Sequence, residues 1–128
     1  MKRVAACTCG QLTATVEGEP SRISVCHCLD CQRRTGGVFS MQARFALEDV
    51  TTRGEGVTYA RVGGSGATMT KTFCPRCGVT VFYQNEGDPR IAIPVGTFAD
   101  PSFPAPTVSV FEKRKHGWVQ MPEGITRE

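Results

Sequence analysis

Apolar and polar residues alternate along much of this chain, which is the pattern of half-buried β-strands. The longest alternation places an apolar side chain at every second position from Phe39 to Leu47. The same period recurs at 12–16, 79–83, 91–95 and 108–110, and more weakly at 57–59 and 69–73. Clusters of Gly, Pro, Asp and Glu separate these runs. The pattern predicts a mainly β fold of short, largely antiparallel strands.

Little of the chain favours helix. The best candidate is one short helix that begins just after Cys28 and ends at Gly36-Gly37. The proline-rich segment 100–106 is predicted to be a long loop. The glycine-rich segment 63–66 is predicted to be a hairpin loop, because it lacks the Gly-Lys-Ser/Thr ending of a phosphate-binding loop. The content of 14 Gly and 8 Pro in 128 residues argues against a helical bundle.

Length and charge narrow the functional classes. A chain of 128 residues fits one domain, so we expect residues 1–128 to share one core. No run approaches the roughly 18 apolar residues of a membrane span. The formal charge of +3 is small, and its basic residues are scattered. Thiolates bound to metal would cancel that charge, so nucleic acid is a disfavoured partner.

The seven cysteines are the most informative residues. An odd number leaves a thiol over if all pair as disulfides. They also fall into three tight groups, Cys7/Cys9, Cys26/Cys28/Cys31 and Cys74/Cys77, which is the spacing of metal ligands. Residues 4–7 resemble a lipoprotein cleavage box, but no apolar signal segment precedes them. We therefore predict a reducing, cytoplasmic location with thiols free to bind metal.

The C-x₂-C pair of Cys74 and Cys77 has the form of a zinc knuckle, with Gly78 providing the positive φ that such a turn needs. It supplies two ligands of the four that a structural site requires. Cys7 and Cys9 are the natural partners, since positions i and i+2 of an extended strand face the same side. The predicted four-cysteine site would join the N-terminal strand to the middle of the chain.

Cys26, Cys28 and Cys31 then remain, with no fourth cysteine. Three protein ligands and one open position is the arrangement of a catalytic zinc. The alternative is a closed structural site, completed by His27, His116, Asp30 or a partner chain. The partition of cysteines is also open at this point, since Cys26 and Cys28 can be paired with Cys74 and Cys77 instead.

Three thiolates leave a zinc ion weakly Lewis acidic, which disfavours a hydrolase that uses zinc hydroxide. A fourth soft ligand is favoured instead, namely a substrate thiol bound as its thiolate. Arg33 and Arg34 follow the cluster directly. They are candidates for binding a substrate carboxylate, and the alternative is that they lie on a solvated helix face.

The sequence resembles the glutathione-dependent formaldehyde-activating enzyme family, which includes centromere protein V-like domains. The resemblance continues through Val95–Phe98 to about Trp118. It rests on the order and the flanking residues of three motifs: Cys7-Thr8-Cys9-Gly10, Cys26-His27-Cys28-Leu29-Asp30-Cys31-Gln32-Arg33-Arg34-Thr35-Gly36 and Phe73-Cys74-Pro75-Arg76-Cys77-Gly78.

This resemblance implies a β-tent fold pinned by zinc and two zinc ions per chain. A structural zinc would lie on Cys7, Cys9, Cys74 and Cys77, and an active-site zinc on Cys26, Cys28 and Cys31. It also implies a carbon–sulfur lyase or synthase that joins formaldehyde to glutathione as S-(hydroxymethyl)glutathione, so that a small thiol and an aldehyde are the expected partners. Two rival hypotheses are a non-catalytic zinc module that binds protein or nucleic acid and a thiol-based redox or zinc sensor.

Overall fold

The computed structural model describes residues 1–128 and contains eleven strands in two sheets. The strands are β1 (Lys2–Ala6), β2 (Thr13–Glu17), β3 (Arg22–Cys26), β4 (Ser40–Ala46), β5 (Val50–Arg53), β6 (Val57–Val62), β7 (Thr68–Phe73), β8 (Thr80–Asn85), β9 (Arg90–Pro94), β10 (Val108–Val110) and β11 (Thr126–Arg127). A three-stranded sheet has the order β1-β2-β5. An eight-stranded sheet has the order β11-β10-β3-β4-β9-β8-β7-β6.

Helix is scarce, as predicted. The one α-helix, α1, spans Leu29–Thr35, and Gly36 ends it in the left-handed conformation with φ of 72°. Short 3₁₀ turns occupy Leu47–Asp49, Val95–Phe98 and Glu112–Arg114. None of these helices has the length and apolar character needed to cross a membrane. The mainly β fold class is confirmed.

Every strand predicted from the alternation is present, with shifted ends, and four strands were not predicted. β1, β5 and β11 are short or carry too few apolar residues for a period-two pattern, and β3 was missed although its Ile23 and Val25 recur at period two. The largely antiparallel arrangement is confirmed, and the exception is β10, which runs parallel to both β3 and β11. Two or three paired residues in such short strands are too few to show direction in a sequence.

The alternation in β4 produces a sheet with two different faces. Ala43 and Phe45 are buried in the core between the sheets. The intervening residues Ser40, Gln42 and Arg44 pair with Cys26, Ser24 and Arg22 of β3. Residues opposite each other on antiparallel strands share a face, so these six residues form a polar face of the sheet that includes Cys26.

The core itself lies between the two sheets. It contains 13 buried residues, drawn from both sheets and the turn at Val95–Phe98: Ala5, Cys7, Leu12, Ala14, Val16, Ile23, Ala43, Phe45, Cys74, Val81, Ile91, Ile93 and Phe98. Two of these residues are cysteines that the sequence assigns to metal binding. The four-cysteine cluster is therefore continuous with the apolar core and not an appendage on the surface.

Candidate metal centres and cleft

Two turns bring the first four cysteines together. The chain turns after β1, where Gly10 N donates to Cys7 O at 3.0 Å, and again after β7, where Gly78 N donates to Cys74 O at 2.8 Å. Gly10 and Gly78 have φ of 84° and 81°, which a residue with a Cβ rarely adopts. Cys7 and Cys9 therefore lie in a turn, and the expectation that they lie on an extended strand was wrong.

The sulfur geometry of this cluster fits a metal ion. The four Sγ atoms, from Cys7, Cys9, Cys74 and Cys77, lie within 4.8 Å of one another. The Cys7–Cys9 and Cys9–Cys74 sulfurs are 3.6 and 3.7 Å apart. Four thiolates around zinc at about 2.3 Å would be roughly 3.8 Å apart. The donor set and the spacing are those of a closed tetrahedral site.

Hydrogen bonds to the sulfurs support the same interpretation. Leu12 N donates to Cys7 Sγ and Arg76 N to Cys74 Sγ, both at 3.3 Å. Gln11 Nε2 donates to Cys74 Sγ at 2.9 Å, and the Gln11 amide is itself held by the backbone of Glu55. Such donors stabilise thiolates and orient ligands around a metal. Gln11 was not among the residues predicted from the sequence, and its position two residues after Cys9 was the only available signal.

The other three cysteines meet where β3 gives way to α1. Cys26 ends β3, Cys28 is the N-cap of α1, and Cys31 lies in its first turn. Their Sγ atoms also lie within 4.8 Å of one another. Cys31 N donates to Cys28 Sγ at 3.3 Å, so the N-cap bond and the metal-ligand position use the same sulfur.

The ionisation of these thiols shows that they act as one group. Hydrogen bonding with Cys28 and then Cys31 raises the pKa of Cys26, whereas hydrogen bonds from Cys26 and Cys28 hold the pKa of Cys31 well below its usual range. Without a cation, one thiolate is stabilised at the expense of its neighbours. A soft divalent cation removes this conflict, so the residues present fit a metal ion.

The side chains considered as a fourth ligand lie outside the sulfur cluster. His27 is fully buried, and its Nε2 lies 2.9 Å from Ser109 Oγ. His116 Nε2 lies 3.1 Å from Gln32 Oε1, and Asp30 Oδ1 lies 2.8 Å from Arg61 Nη1. The metal-ligating group around Cys26 therefore comprises three cysteines and no His, Asp or Glu.

This three-cysteine cluster opens onto a cleft of about 850 Å³. The polar face of β3 and β4 provides part of the lining, and the hairpin loop between β6 and β7 provides another part. Five cationic residues line the cleft: Arg22, Arg34, Arg44, Arg90 and Lys113. Four acidic residues also line it: Asp30, Asp88, Glu112 and Glu128.

Most of these charges are paired within the chain. Arg22 contacts Glu128 at 3.2 Å, and Arg90 forms a forked pair with Asp88 at 3.0 and 3.1 Å. Arg44 has only a 3.6 Å contact from its Nε to Asp88 Oδ2. Its guanidinium, with 14% of the side chain exposed, therefore retains hydrogen-bonding capacity toward the cleft.

The two consecutive arginines of α1 differ in position. Arg34 lines the cleft, and its guanidinium carbon lies 5.2 Å from the centre of the Tyr83 ring. Arg34 Nη2 is buried without a hydrogen-bond partner. Arg33 is exposed and outside the cleft lining. Of the two candidates for binding a carboxylate, only Arg34 lies beside the three-cysteine cluster.

The fold and the two cysteine clusters define a small β protein with one group of four and one group of three thiols that could each hold a metal ion. The chain matches the family model described as glutathione-dependent formaldehyde-activating enzyme over residues 2–114, and it belongs to that family. A crystal structure of a Rhodobacter sphaeroides protein, a structural genomics target, is similar, with a TM-score of 0.56 and 26% identity. The match covers 76% of this chain and 86% of that one. A search of curated proteins finds no match.

Proposed function

We propose that this protein is a zinc-dependent carbon–sulfur lyase or synthase, which joins a thiol to an aldehyde and cleaves the resulting adduct. The family points to glutathione and formaldehyde as the reactants and S-(hydroxymethyl)glutathione as the adduct. The observation that carries the proposal is the three-cysteine cluster, which has no fourth protein ligand and opens onto a large cleft.

Zinc is the proposed metal at both clusters. Cys7, Cys9, Cys74 and Cys77 would hold a structural ion, and Cys26, Cys28 and Cys31 an ion with one open position. When bound at the second cluster, zinc supplies a soft cationic position that keeps a substrate thiol deprotonated near neutral pH.

The cleft suits a small anionic thiol in size and in charge. Its volume of about 850 Å³ lies within the range of small-molecule sites, roughly 300–1,000 Å³. Arg34 and Arg44 both face it with unused hydrogen-bonding capacity. A guanidinium in a partly buried site binds a carboxylate in a forked geometry, so these arginines would hold the carboxylates of glutathione.

The first experiment is a zinc count by native mass spectrometry, together with the rate of thiol–aldehyde exchange measured by NMR with and without protein. We expect two zinc ions per chain and faster exchange of formaldehyde with glutathione. Two zinc ions without acceleration would favour the non-catalytic binding module. One zinc ion, with Cys26, Cys28 and Cys31 open to alkylation, would favour the redox or zinc sensor.

Replacement of Arg34 by alanine should raise KM for glutathione about tenfold or more, because a hydrogen bond to a charged group contributes roughly 1.5–3 kcal/mol. Arg33→Ala is the matched control, since Arg33 carries the same charge one residue away and lies outside the cleft. It should leave KM within about twofold, because exposed charges contribute little. With 2-mercaptoethanol, which has no carboxylate, the two variants should have the same KM for the thiol. Equal effects of both variants on glutathione would refute the role of Arg34.

A further inference from the structure

Tyr83 is a large aromatic residue at the base of the cleft. It lies on β8, opposite Ala92 of β9, and Ala92 in turn lies opposite Arg44 of β4. The small side chain of Ala92 thus separates two long side chains in one row across the sheet. Tyr83 is 5% exposed and lines the same cleft as the three-cysteine cluster. Tyr83 is the last apolar position of the strand predicted at 79–83 and is buried as the alternation predicts, but it lies outside the core cluster that contains Val81.

The hydroxyl of Tyr83 has no hydrogen-bond partner in the chain. Its ionisation responds to burial and to the charges of Arg44, Arg34, Cys31 and Cys26, and no hydrogen bond contributes. A buried tyrosine normally directs its hydroxyl to a polar partner. Here the polar space that the hydroxyl faces is the cleft. This arrangement is typical of a group that bonds to a ligand.

The surroundings keep this hydroxyl a donor. Burial raises the pKa of Tyr83 to about 12, which outweighs the lowering effect of Arg44 and Arg34. The phenol is therefore neutral across the physiological pH range. The guanidinium of Arg34, 5.2 Å from the ring centre, stabilises negative charge that develops on the phenol oxygen or on an atom bonded to it.

The other residues suited to proton transfer lie outside the cleft lining or are paired with other side chains. His27 and His116 are the two histidines of the chain, and each has its Nε2 bonded to another side chain. The acidic residues of the cleft contact arginines, with Glu112 bound to Arg127 and Asp30 to Arg61. Tyr83 is the aromatic hydroxyl beside the cysteine cluster that remains free to meet a substrate.

We propose that Tyr83 is a catalytic residue whose hydroxyl binds the aldehyde oxygen and gives it a proton as the carbon–sulfur bond forms. The inference rests on the proposed function. The sulfur electron pair of the thiolate forms the new bond to carbon, and the π pair of the carbonyl moves to oxygen. That oxygen takes the phenol proton, and the phenolate recovers a proton from water. Adduct cleavage reverses these steps and returns the thiolate and the aldehyde.

The test compares Tyr83→Phe with Tyr59→Phe. Tyr59 is the other tyrosine of the chain and lies exposed on β6, outside the cleft lining. General acid catalysis contributes about 100-fold or more. We expect Tyr83→Phe to lower kcat for adduct formation and cleavage by about that factor, with KM for the thiol and the zinc count unchanged. Tyr59→Phe should have the kcat, the KM for the thiol and the zinc count of the wild type.

A second readout does not depend on turnover. Wild-type protein labelled with 3-fluorotyrosine gives two ¹⁹F resonances, which Tyr83→Phe and Tyr59→Phe assign. Addition of glutathione and formaldehyde together should shift the Tyr83 resonance more than glutathione alone, and the Tyr59 resonance should stay in place. If the wild type accelerates exchange, two results would overturn the inference and leave the proposed function standing. One is a wild-type kcat in Tyr83→Phe, and the other is a Tyr83 resonance that does not move when the substrates are added. A wild type that does not accelerate exchange would overturn both.

Discussion

Replacement of Cys28 by serine is expected to abolish thiol–aldehyde exchange, with a loss of at least about 100-fold, while the fold stays intact. Cys28 would be one of three ligands for the second zinc, and a serine hydroxyl is a poor zinc ligand. The same residue is the N-cap of α1, where its sulfur accepts from Cys31 N. Serine is among the best N-cap residues, so the helix keeps its cap. Circular dichroism measures whether the fold is intact, native mass spectrometry counts the zinc ions, and NMR measures the exchange rate.

Cys28→Ala is the comparison that separates the two roles of this residue. It should lose activity equally and also lose about 1 kcal/mol of stability, the usual contribution of an N-cap side chain. Native mass spectrometry of either variant should show one zinc ion, retained by the four-cysteine site. Turnover at the wild-type rate in Cys28→Ser, with only one zinc ion bound, would contradict the proposed active site.

Replacement of Cys74 by serine should instead destabilise the whole protein. Cys74 is fully buried in the core and accepts hydrogen bonds from Gln11 and from Arg76 N. Because metal binding at a structural site contributes directly to folding, loss of one ligand should cost several kcal/mol. A loss of about 3 kcal/mol lowers Tm by roughly 10 °C in a chain of this size. Calorimetry of thermal unfolding measures this change in Tm.

Arg76→Ala is the matched control for Cys74→Ser. Arg76 lies exposed between the two cysteines of the same turn, and its side chain is outside the sulfur cluster. The free energy of unfolding of Arg76→Ala should lie within about 0.5 kcal/mol of the wild-type value. A strong chelator should lower the Tm of the wild type and Arg76→Ala alike and leave Cys74→Ser little changed. An unchanged Tm in Cys74→Ser would show that this cluster does not hold the fold together.

The strand pattern was readable wherever apolar residues recur at period two over several positions. β4 and β9 were found this way because each has one face in the apolar core. β5 was missed because it is an edge strand with mostly exposed residues. β3 was also missed, although its Ile23 and Val25 recur at period two and the strand provides Cys26 and part of the cleft.

The grouping of cysteines shows what local spacing can and cannot determine. Spacing placed Cys26, Cys28 and Cys31 close together, but it left open whether Cys26 and Cys28 share an ion with Cys31 or with Cys74 and Cys77. It left open whether Cys74 and Cys77 join Cys7 and Cys9, because these pairs are distant in the sequence. The meeting of the turns after β1 and β7 brings the four sulfurs within 4.8 Å.

The sequence by itself determined the mainly β fold, the one short helix and the three cysteine motifs that identify the family. These features depend on residues close together in the chain, whose period and spacing record their local environment. Only the tertiary structure decided which face of β3 and β4 lines the cleft, that Arg34 and not Arg33 faces it, and that Tyr83 lies at its base. Those outcomes depend on strand register and on the direction of side chains from separate strands, which pack together only when the sheets form.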